Sequence, residues 1–80
     1  MTVEGVLKAI VNATDAIGLS TARGRYDRFG REIPKFAKDL CSWEKLGPED
    51  VAAVEACVRE IRSRLLTEVE SERIATNRRA

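Results

Sequence analysis

The decapeptide ARGRYDRFGR, residues 22–31, places four arginines and two aromatic rings in ten positions, with Gly24 and Gly30 among them. Guanidinium groups grip phosphate or carboxylate through paired N–H donors, and rings set between them can stack on bases. As a flexible arm this stretch would be a nucleic-acid clamp. The other side chains with chemistry to offer are two thiols, Cys41 and Cys57. The chain has no histidine, which removes the usual general base and the commonest metal ligand. Two separated thiols do not make a zinc site, and neither has an activating neighbour in sequence. The glycines of the decapeptide lack the lysine and the strand-to-helix setting of a phosphate loop. No paired-carboxylate spacing or nucleotide fingerprint occurs. The expectation is a protein that is not an enzyme, with no catalytic residue, no cofactor and no metal.

Whether the decapeptide is an arm depends on the elements around it. From Val3 to Ile17 the apolar residues Val3, Val6, Leu7, Ile10, Val11, Ala13 and Ile17 share one face of a 3.6-residue repeat. Thr2 suits the N-cap and Gly18 the exit, so a helix is predicted over about 2–18. Further on, GPEDV sets Gly47 at a cap, Pro48 at the first helical position and two acids in the first turn. A stripe of Val51, Val54, Val58, Ile61, Leu65 and Val69 follows, with Glu55–Arg59 and Glu60–Arg64 spaced for ion pairs outside it. Glu72 falls in the middle of that stripe. A helix is predicted over about 48–71; it can continue, but beyond roughly residue 70 it has nothing to bury, so 72–80 is expected to be a frayed tail. Ala52, Ala53 and Ala56 lie behind the stripe, where a second neighbour could approach closely.

The middle of the chain then resolves. Ala22, Tyr26, Phe29, Ile33, Phe36, Leu40 and Trp43 follow one another in steps of four and three, a heptad seam that carries all four aromatic residues. The decapeptide is therefore part of an amphipathic helix, and its rings belong to the core. Gly24 and Gly30 each cost about 0.8–1 kcal/mol against alanine in a helix, and Pro34 withholds a donor from the carbonyl of Gly30. A helix kinked near Pro34 is predicted over about 20–45, as one bent element or two in near-line. Arg23, Arg28, Arg31, Lys35 and Lys38 project from the far side. Acids one turn away from most of them predict partial neutralisation: Asp27 for Arg23 and Arg31, Glu32 for Arg28, Asp39 for Lys35.

The fold predicted is a single all-α domain, a small antiparallel bundle or hairpin of three helices. An 80-residue chain exposes much of its apolar surface, so docking on a partner or forming a homodimer would stabilise it. Net charge is +1, but residues 20–38 carry six cations against two acids. No signal-like or membrane-spanning run is visible and thiols are few, which predicts a reduced, cytoplasmic protein that does not engage membranes.

The functional expectation is a protein–protein interaction module: an adaptor, regulator or inhibitor that binds a larger protein. Phages and other mobile elements often use compact helical chains of this kind against a host machine. The candidate contacts are Arg25, Arg28, Arg31, Lys35 and Lys38. The competing expectation is a small nucleic-acid-binding regulator that uses the basic ridge of residues 23–38, with Arg73, Arg78 and Arg79.

Overall fold

The computed structural model describes the backbone of residues 2–79 and the side chains of residues 2–75. Three helices follow in order: α1 (Val3–Asp15), α2 (Ala22–Trp43) and α3 (Pro48–Arg79). Each starts where a capping group is available. Thr2 accepts from the Gly5 amide through its hydroxyl at 3.2 Å, and Thr21 accepts from the Gly24 amide at 3.0 Å. At α3 the Gly47 carbonyl takes the first helical bond, from Val51 at 3.0 Å, and Pro48 stands first in the helix.

The exits are built from left-handed residues. Gly18 has φ +62°, a conformation glycine adopts without steric cost, and it turns the chain after α1. Lys45 (φ 53°) does the same after α2, where the Leu46 amide donates back to the Cys41 carbonyl at 3.1 Å and Lys45 to Ser42 at 3.2 Å. That is the Schellman pattern, with a lysine where glycine is usual.

The helices run as an antiparallel hairpin of α2 and α3. Arg25 lies 3.5 Å from Glu68, the Arg62 guanidinium sits 5.8 Å over the Tyr26 ring, and the Ala22 amide donates to Glu72 at 3.1 Å. The start of α2 thus meets the far part of α3. α1, about 20 Å long, packs on this hairpin, whose longer member is about 48 Å. The whole chain extends 51 Å by 20 Å by 17 Å. Phe29, Ile10, Val6 and Val54 are the largest side chains fully withdrawn from water. Ile17, Ile33, Ala37, Leu40, Cys41 and Leu65 complete the buried cluster.

Of the two forms expected for the central helix, one element or two in near-line, the first is found: α2 passes through Pro34 without a break. Gly30 and Pro34 both face solvent, so water can serve the carbonyl that the proline leaves without a donor. The aromatic seam holds for Phe29, which is fully buried, and for the half-buried Tyr26 and Phe36. It fails at Trp43, which is 69 % exposed: no described element reaches over it, although Leu40 and Cys41 just before it are buried. α3 does not stop near residue 71 but continues to Arg79. Glu72 has a role on that extension, since its carboxylate satisfies an orphan amide at the positive end of α2. Ala52, Ala53 and Ala56 are exposed, so no second neighbour covers them among the described residues, and alanine's high helix propensity accounts for them.

Candidate functional site

The six cations of α2 fall into two groups. The first three, Arg23, Arg25 and Arg28, are occupied. Arg23 pairs with Asp27 at 3.3 Å and Arg28 with Glu32 at 2.7 Å, both one turn away along the exposed face. Arg25 reaches inward: it donates to the Leu19 carbonyl at 2.8 Å and lies against Glu68, tying the connector, α2 and α3 together. Of the expected contact residues, Arg25 is the one that engages other segments of the chain.

The other three differ. Arg31, Lys35 and Lys38 are exposed, and among the described residues none of them has an ion-pair partner. The spacings that predicted Arg31–Asp27 and Lys35–Asp39 pairs are present, but Asp27 serves Arg23, and Asp39 is half-buried. Three cations on consecutive turns, spanning about 10 Å, form a free basic ridge.

Beside that ridge lies a groove of about 400 Å³ between α2 and α3. Its α2 wall is Pro34, Ala37, Lys38 and Cys41; its α3 wall is Val51, Val54, Glu55 and Val58. Both walls have the spacing i, i+3, i+4, i+7, which keeps four side chains on one helical face. Each carries its charge at i+4, so Lys38 stands on one rim and Glu55 on the other. No residue of α1 lines the groove. Gly30, one turn before Pro34, continues the same open side, and a Cβ there would meet nothing within 4 Å.

Cys41 lies at the end of this groove. Its thiol is pushed above the ordinary cysteine range, first by burial and then by the Glu55 carboxylate across the groove. Both effects disfavour the thiolate, the nucleophilic form. Cys41 and Cys57 are both free cysteines. Among the described residues no group of three or more His, Cys, Asp or Glu could hold a metal, and no helix is long and apolar enough to cross a membrane.

The rings that suggested base stacking are not available for it. Phe29 is completely buried and Arg62 covers Tyr26. For the competing tail cations, Arg73 is exposed on α3, while the side chains of Arg78 and Arg79 lie outside the described residues. The groove was not foreseen from sequence. Its two walls were legible as helix faces, but not which side of the hairpin α1 would leave open. No family model, curated protein or solved structure matches the chain.

Proposed function

We propose that this protein is a non-enzymatic interaction module, an adaptor, regulator or inhibitor that docks on an acidic surface of a larger protein. The observation that carries this reading is the free ridge of Arg31, Lys35 and Lys38, with Arg28 at its end. A bundle gains little from three neighbouring cations that neutralise nothing within it, since like charges on successive turns repel by a few tenths of a kcal/mol. Against a carboxylate-bearing partner the same cations give orientation and a faster encounter.

Nucleic acid is the competing ligand, because phosphates would satisfy the same ridge. Nuclease-treated capture from the native cell separates the two. A retained protein should be lost when Arg31→Glu and Lys35→Glu are combined, with helical circular dichroism unchanged. Retention by the double variant removes the ridge from consideration. Binding to duplex DNA whose logarithm falls by about 0.9 per phosphate against the logarithm of salt would move the assignment to the nucleic-acid reading.

A further inference from the structure

We infer that the open groove is the seat of a second copy of this chain, joined by a two-fold axis parallel to α2 and α3. The two readings share Lys38 and no other residue; Arg31 and Lys35 test the ridge and Glu55 and Gly30 test the groove, so either reading can fail alone.

The argument starts from charge. The antiparallel register that joins Arg25 to Glu68 carries Pro34 to about the level of Val58 and Cys41 to about that of Val51. Lys38 and Glu55 therefore sit at nearly the same height on opposite rims. Both are exposed, and among the described residues neither has an ion-pair partner. Two copies facing each other across this groove can be related in two ways. An axis perpendicular to the helices, passing at the level of these two residues, lays each α2 on its own copy and sets Lys38 against Lys38 and Glu55 against Glu55. An axis along the helices lays each α2 on the partner's α3. Lys38 of each chain then meets Glu55 of the other, twice by symmetry. The charges select the second arrangement, and every neighbouring pair of helices in it is antiparallel, as in a four-helix bundle.

Area and shape agree. Steps of three and four residues continue the open α3 face from Val51, Glu55 and Val58 through Arg62 and the 42 % exposed Leu66 to Val69. That is about 27 Å of helix, and two helices side by side are about 20 Å across. Each copy would cover about 540 Å², so the pair reaches the ~1,000 Å² that a specific interface needs. Gly30 also gains a role. It forgoes about 1 kcal/mol of helix propensity although nothing within the chain crowds its Cβ. In the dimer it stands over the level of the partner's Arg62, where a missing side chain leaves room for the stack on Tyr26.

The test is sedimentation equilibrium from micromolar to 0.3 mM, with circular dichroism to confirm the fold. The wild-type chain should reach twice its 8.9 kDa mass. Lys38→Glu and Glu55→Lys should each weaken the dimer about tenfold or more, because each turns two attractions into repulsions. The double variant should restore it. Gly30→Leu, at an exposed position where an added Cβ meets nothing within 4 Å, should keep the helical spectrum and lose the dimer. A wild-type chain still monomeric at 0.3 mM overturns the inference. So does a dimer that ignores Glu55→Lys, or one that the double exchange does not rescue.

Discussion

The two sides of the α2–α3 hairpin share helices but not environments. On one side α1 supplies Val6 and Ile10, and Phe29 beside them has no exposed surface. On the other, Pro34 and Gly30 face water, and Val51 and Val58 are only half covered. The difference shows where folding free energy is concentrated in a small chain. A third helix of thirteen residues closes one side, and among the described residues none covers the other.

Truncations on the two sides should separate most. Phe29→Ala should cost about 3–5 kcal/mol, a large share of what an 80-residue domain has. Val58→Ala on the open side should cost about 1 kcal/mol, since the methyls removed are half in water already. Urea unfolding in dilute solution measures both, and equal losses would break the contrast. Thr21→Ala removes the cap of α2 at the end where Arg25 and Glu72 also converge. A loss of about 1 kcal/mol is expected, within the usual 0.5–2 range for such caps.

At the opposite end the sign reverses. Lys45→Gly relieves a left-handed lysine that costs about 1–2 kcal/mol, partly offset by the entropy of glycine, for a net gain near 0.5–1 kcal/mol. A loss would mean that the lysine side chain has a role its backbone does not reveal. The smallest effect should come from Asp27→Asn. Its pair with Arg23 is exposed on both sides and contributes only about 0.3–0.5 kcal/mol. A drop above 1 kcal/mol would show that the occupied half of the α2 ridge is structural and not merely neutralised.

Much of the fold was readable in one dimension, and the misreadings have particular causes. Glu72 looked like the end of a stripe because a carboxylate in an apolar row normally has nothing to meet. Its partner is an amide fifty residues earlier, brought close only by the hairpin register. Trp43 continued the seam in spacing, but a seam is buried only as far as another element reaches. Local pairing rules named both possible partners of Asp27 and could not choose between them. Arg25 was grouped with the exposed cations on position alone, and its real contacts are a carbonyl and a carboxylate on other segments.

The amino-acid order alone determined the three helices, the ends marked by Thr2, Gly18 and Gly47 and most of the buried faces, because hydrophobic spacing and end-capping act within a few residues of one another. Only the tertiary structure decided which cations stay free and which side of the hairpin stays open. Both depend on the length of α1 and on the register of α2 against α3, quantities that no local interaction encodes.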